Sequence, residues 1–198
     1  MLFRLCIFLF AIHYSLFTYS QCITSFPYSE DFEASNGNWA SGGTGDDWAW
    51  GAVSKAYIQT AFSGSNCWVT GGLNNSFYNL GELSYVQSPC FDFSGMQKPY
   101  IRFNIYWETE NGYDGAGFQY STDGGTTWQN VGAYTGITCQ NNAWYNNSNI
   151  TYLGGFTSVR HGWSGSMQQN TGSCQGGNGS GRWINASQCM PYLAGQSN

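Results

Sequence analysis

Apolar and polar residues alternate most cleanly along residues 100–110, where Ile101, Phe103, Ile105 and Trp107 interleave with Arg102, Asn104, Tyr106 and Glu108. A period of two puts the apolar set on one face of a strand and the polar set on the other, so this segment is expected to be half buried in a sheet. Shorter runs at 26–32, 48–53, 66–70, 84–93, 117–121 and 126–132 are bounded by Gly, Asn, Ser or Pro and predict further strands. Apolar residues never recur at three-and-four spacing for more than a turn, which removes the helical alternative. Many short strands with no helix between them predict an all-β fold, an antiparallel two-sheet jelly-roll sandwich, over residues 21–198 as a single domain. The stretch from 136 to 198 is poorer in β-branched residues, and 172–181 reads as a long loop pinned at Cys174.

Residues 1–20 follow a different pattern. Arg4 precedes an apolar run from 5 to 17, and Thr18 and Ser20 supply small residues after it, the order of a cleavable signal peptide. The run falls short of the roughly 20 apolar residues a spanning helix needs, and His13, Tyr14 and Ser15 interrupt it. The chain is therefore expected to be secreted or held at the cell surface, with no transmembrane span once the leader is cleaved. Cys6 leaves with the leader, and Cys22, Cys67, Cys90, Cys139, Cys174 and Cys189 remain. None of them forms a Cys-x-x-Cys pair, so disulfides are the expectation for all six in an oxidising compartment, with the pairing open.

Charge narrows the partners. Only 9% of the chain is charged, 18% is aromatic, and the net charge is −5 with six basic residues. There is no electrostatic footprint for a phosphate backbone, which excludes nucleic acid. All eleven carboxylates lie between Glu30 and Asp123, so any carboxylate chemistry belongs to the first part of the chain. His161 is the one histidine after the leader, and no Gly-x-Ser-x-Gly or His-Glu-x-x-His motif occurs, leaving nucleophilic or zinc-dependent catalysis without its parts.

Several motifs remain. Ser121-Thr122-Asp123-Gly124-Gly125-Thr126-Thr127-Trp128 matches Ser-x-Asp-x-Gly-x-Thr-Trp, an Asp-box. Its residue types, Ser121, Asp123, Gly125 and Trp128 among them, predict a structural hairpin: Asp123 accepts turn amides, Gly124 or Gly125 supplies a positive φ, and Trp128 packs beneath the turn. A sialidase would need several copies and an arginine cluster, both absent. Asp31 and Glu33, with Glu108 and Asp114 from a second acidic turn, are hard oxygen donors of the kind structural Ca²⁺ takes; solvent-facing carboxylates, or a hydrolytic acid pair, are the alternatives. Trp48, Trp50, Tyr113, Trp144 and Tyr145 are candidates to stack on sugar rings.

Taken together, residues 26–33, the Trp48-Ala49-Trp50-Gly51 step, Cys67-Trp68-Val69-Thr70-Gly71, Ser88-Pro89-Cys90-Phe91-Asp92-Phe93, Tyr113-Asp114-Gly115-Ala116 and the Asp-box resemble the MAM-like jelly-roll modules of secreted bacterial proteins. The resemblance extends more loosely through Trp144-Tyr145-Asn146, Gly162-Trp163-Ser164-Gly165 and Arg182-Trp183 to Leu193. It implies a non-catalytic module, often with structural calcium, that binds a glycan or a surface protein, or stands beside the catalytic domain of a larger secreted protease or glycosidase. Such modules continue into two further strands that have no counterpart before Asn198, so the chain is expected to be part of a longer reading frame.

Overall fold

The computed structural model describes residues 21–74, 77–133, 142–155 and 159–197; the expected leader at 1–20 and Cys139 lie outside them. Among the described residues there is no α-helix, only eight strands and a short 3-10 turn, Pro191–Leu193. β1 (Ala40–Thr44) pairs with β4 (Leu83–Gln87) and β2 (Ala49–Ala52) with β3 (Asn66–Val69). β5 (Tyr100–Ile105) pairs with β8 (Ile184–Cys189), and β6 (Gln119–Tyr120) with β7 (Gln129–Asn130). All four pairs are antiparallel, and each is a two-stranded sheet. The chain is all-β, and its ladders join pairwise, with isolated bridges such as Ile23↔Phe91, Ala116↔Trp163 and Asn147↔Gly162 filling in between.

β5 shows why its regular pairing stops early. After Ile105 the backbone changes partner: the Thr109 amide donates to the Gly165 carbonyl at 2.8 Å, and the Ser180 amide to that of Trp107 at 3.2 Å. Ile101, Phe103, Ile105 and Trp107 nevertheless keep one facing, onto a core of Val131, Trp144, Tyr145, Trp163, Ala186, Met190 and Leu193. That core is built from rings. Trp163 meets Tyr145 at 4.7 Å and 67°, Trp144 at 5.2 Å and 74°, and Phe103 at 5.7 Å and 82°, the edge-on geometry that aromatic quadrupoles favour.

The polar ends of these rings are satisfied. Trp144 Nε1 and the Tyr145 hydroxyl both donate to the Val131 carbonyl at 2.9 Å, and Trp163 Nε1 donates to that of Ala143 at 3.0 Å. Trp144 and Tyr145, expected as ligand-stacking residues, are only 4% and 6% exposed and so are core residues instead. In a chain so rich in aromatics the rings themselves must fill the interior, because burying one contributes more than leaving it in water. A second, smaller cluster joins Val53, Ala61, Cys67 and Val69, with Ile58, Leu73 and Trp183 against it.

The cysteines divide. Cys22 and Cys90 form a disulfide with Cα atoms 4.6 Å apart, flanked by the Ile23 amide on the Cys90 carbonyl and the Asp92 amide on that of Ile23. Cys189 is also disulfide-bonded. The expectation of bridges fails for Cys67 and Cys174, which are free. Cys67 lies in the second cluster, where burial, with help from the charge of Glu33, pushes its thiol up to about 11. Cys174 is exposed, and its turn is closed by reciprocal backbone bonds with Thr171 at 3.1 Å where a bridge was expected to pin the loop. The expected strand at 26–32 is absent as well. Glu30 Oε1 takes the Phe32 amide at 2.8 Å and Asp31 Oδ1 the Glu33 amide at 3.0 Å, side-chain bonds that bend the chain out of a ladder.

Candidate ligand-binding surface

The acidic residues act first as ties between loops. Glu33 Oε1 accepts the amides of Ser65 and Asn66 at 2.9 and 2.8 Å, fastening the N-terminal segment to the start of β3. Glu108 takes the Ser166 hydroxyl, and the Met167 amide reaches its two carboxylate oxygens at 3.0 and 2.9 Å. Asp114 Oδ2 takes the Tyr78 hydroxyl at 2.8 Å. Among the described residues no three His, Cys, Asp or Glu side chains gather as a cation site, so Asp31, Glu33, Glu108 and Asp114 do not converge. Calcium wants six to eight oxygens around one point, and Glu33 Oε1, both Glu108 oxygens and Asp114 Oδ2 are each engaged by N–H or O–H donors from separate loops.

What this bonding does build is a rigid loop at 108–114. The Tyr113 and Asp114 amides turn back onto the Glu110 carbonyl at 3.2 and 3.0 Å. Beneath them the fully buried Ser164 accepts the Gly112 amide at 2.9 Å and donates to the Asp114 carbonyl at 2.6 Å. Gly112 adopts φ 76° at the bend, a region glycine enters at little cost. Glu110 Oε1 binds the Gln175 amide at 3.0 Å, tying the loop to the 172–181 segment.

This loop presents Tyr113 to solvent, and the 150–153 turn brings a second ring beside it. The Tyr152 amide donates to the Tyr113 carbonyl at 2.8 Å and the Thr151 amide to that of Gly112 at 3.0 Å. The two rings stand 6.0 Å apart at 32°, with Tyr113 40% and Tyr152 70% exposed. Of the other candidates, Trp50 is half buried on β2 with Nε1 on the Phe32 carbonyl at 2.8 Å, and Trp48 is half buried with its indole nitrogen out of reach of any acceptor. Tyr152 was not among the residues the sequence singled out. Its only local cue is the Gly154-Gly155 pair that follows it, and its importance comes from a tertiary hydrogen bond to Tyr113.

The Ser121–Trp128 segment closes the β6–β7 hairpin. Asp123 Oδ1 accepts the Thr127 amide at 2.8 Å and the Ser121 hydroxyl at 2.7 Å, and Oδ2 accepts the Thr127 hydroxyl at 2.6 Å. Ser121 Oγ accepts the Gly125 amide at 2.8 Å, and Trp128 Nε1 donates to the Gly125 carbonyl at 3.1 Å. Thr127, by its hydroxyl and then its amide, and after it Ser121, hold the Asp123 carboxyl down at about 2. Every defined position of the motif is thus occupied in holding the turn.

No protein-family model matches the chain, and neither a curated protein nor a solved structure is significantly similar to it.

Proposed function

We propose that this chain is a secreted or cell-surface, non-catalytic binding module, MAM-like in plan, whose Tyr113–Tyr152 pair holds the ring faces of a neutral glycan. The observation that carries the reading is the pair itself: two tyrosines held 6.0 Å apart on a loop locked from below by buried Ser164. A tyrosine offers a pyranose an apolar face and a hydroxyl at its edge, at the cost of ordering only two torsions. The acids Glu110 and Asp114 lie in the same loop and the chain carries a net charge of −5, which disfavours acidic sugars. Export is supported by the Cys22–Cys90 disulfide, and no helix among the described residues is long and apolar enough to cross a membrane.

The test is a panel of neutral cello-, xylo-, manno- and chito-oligosaccharides offered to the oxidised protein. Tyr113→Ala and Tyr152→Ala should each weaken the best binder roughly tenfold, about 1.4 kcal/mol, while leaving the melting temperature in place. Undiminished binding by the double variant would remove the pair from the site. Binding of a surface protein in place of any panel member would make the pair a protein-docking surface instead.

A further inference from the structure

Two carboxylates meet at the segment that leads into β4. Asp47, between β1 and β2, holds the returning segment at both ends: Oδ1 accepts the Gly71 amide at 2.7 Å and Oδ2 the Asn79 amide at 2.9 Å. Glu82, just ahead of β4, reaches the same Asn79 amide with Oε2 at 3.2 Å, and its Oε1 takes the Ser84 hydroxyl. One N–H therefore answers two carboxylates, which brings the Asp47 and Glu82 side chains close to each other. A carboxylate beside another is harder to ionise, and this favours a proton on Glu82.

The segment they clamp touches the two loops that carry the ring pair. Tyr78, next to Asn79, donates its hydroxyl to Asp114 at 2.8 Å and accepts the Glu110 amide at 3.3 Å, so it braces the loop on either side of Tyr113. Leu83, next to Glu82, lies so close to Gly154 that a Cβ there would collide with its Cδ1, and Gly154 is two residues from Tyr152. The residues bonded to Asn79 and Glu82 in sequence are thus the ones that reach the loops carrying Tyr113 and Tyr152.

We propose that a proton on Glu82, beside Asp47, regulates the Tyr113–Tyr152 surface: while it is held, 78–83 is clamped and the rings are paired, and its loss drives the carboxylates apart and loosens the pair. The proposal rests on the tyrosine pair being the ligand surface. Of the other charged groups facing the carboxylates, Lys55 donates to the carbonyls of Gly71, Gly72 and Asn74 at 2.9, 2.9 and 3.2 Å and its charge is felt by Asp47. Asp46, the neighbouring acid, is engaged by the Trp48 amide at 3.1 Å. Burial first, and then the charge of Asp47, raise Glu82 above the ordinary glutamate range against the opposing pull of Ser84 and Asn79. The folded chain consequently binds this proton more tightly than the unfolded one. The clamp is complete below the unfolded value and is lost as pH rises through the raised folded one.

The experiment follows the ring resonances of the full, oxidised chain carrying ring-¹³C tyrosine from about pH 4 to about pH 8, a span that reaches well above the ordinary glutamate value. Without any ligand, Tyr113 and Tyr152 should shift together, with a common midpoint above the ordinary glutamate value. Glu82→Gln, which keeps a hydrogen-bonding group and loses the charge, should abolish that midpoint, and Asp47→Asn should lower it, so that either variant serves if the other fails to fold. Affinity for the best-binding member of the oligosaccharide panel should fall about fivefold across the same window in the wild type and stay flat in Glu82→Gln. An unchanged midpoint in both variants, or tyrosine rings that do not titrate in the wild type, would overturn the proposal. A ring titration that vanishes in Glu82→Gln with no panel member bound at any pH would uphold the clamp and remove the glycan reading alone.

Discussion

Asp123 holds its hairpin with its carboxylate. Its two oxygens collect the Thr127 amide, the Thr127 hydroxyl and the Ser121 hydroxyl, and those donors hold its acidity at about 2. Because the folded value lies below the unfolded one, what the group contributes is present above the unfolded carboxylate range and is lost as pH falls through about 2. Amide exchange gives a local reading of this. Thr127 should stay protected at mildly acidic pH and lose that protection on further acidification, and Asp123→Ala should speed its exchange about tenfold without acidification. Equal Thr127 exchange in the two proteins would show that the two glycines alone hold the turn.

At the scale of elements, β5 lies within the segment whose alternation predicts a strand, β2, β3, β6 and β7 lie within the shorter runs bounded by turn residues, and the all-β class follows from the same pattern. Two strands were hidden. β1 reads Ala-Ser-Gly-Gly-Thr and looks like a turn, yet Gly43 is glycine because it runs against β4, where a Cβ would strike the Leu83 carbonyl. β8 is mostly polar, but Ser187 and Gln188 are only 3% exposed, and the Ser187 backbone is taken up by Asn142 at 2.9 and 3.1 Å. The candidate surface was legible by halves for the same reason. An acidic, glycine-bent loop marks Tyr113 from sequence, whereas Tyr152, and the meeting of Asp47 with Glu82, exist only once distant loops are packed together. The stacking roles expected of Trp144 and Tyr145 failed because sequence gives a ring's type and not its burial. The N-terminal segment depends on its covalent tie, since beyond Cys22–Cys90 its ladder to Phe91 is a single bridge. Cys22→Ser should cost about 2–5 kcal/mol in urea unfolding, and a loss well under 1 kcal/mol would mean the segment is held by its ring contacts.

Across the whole molecule the free thiols of Cys67 and Cys174 report separately on exposure and on core integrity. Cys174 should react with a thiol reagent in the native protein. Cys67, buried in the second cluster and pushed up to about 11, should react at least about a hundredfold more slowly until the chain unfolds. Peptide mapping after labelling distinguishes them, and fast native labelling of Cys67 would mean that the second cluster opens readily. The two clusters are not independent. Trp183 packs against the second one and donates Nε1 to the Thr60 carbonyl at 3.0 Å, while Ala186, three residues on, is fully buried in the first. A chain made from its N-terminus therefore lacks three buried members of the first cluster, Ala186, Met190 and Leu193, and the Trp183 cover of the second, until its last residues are synthesised. Both interiors are finished late, whatever order their strands pair in.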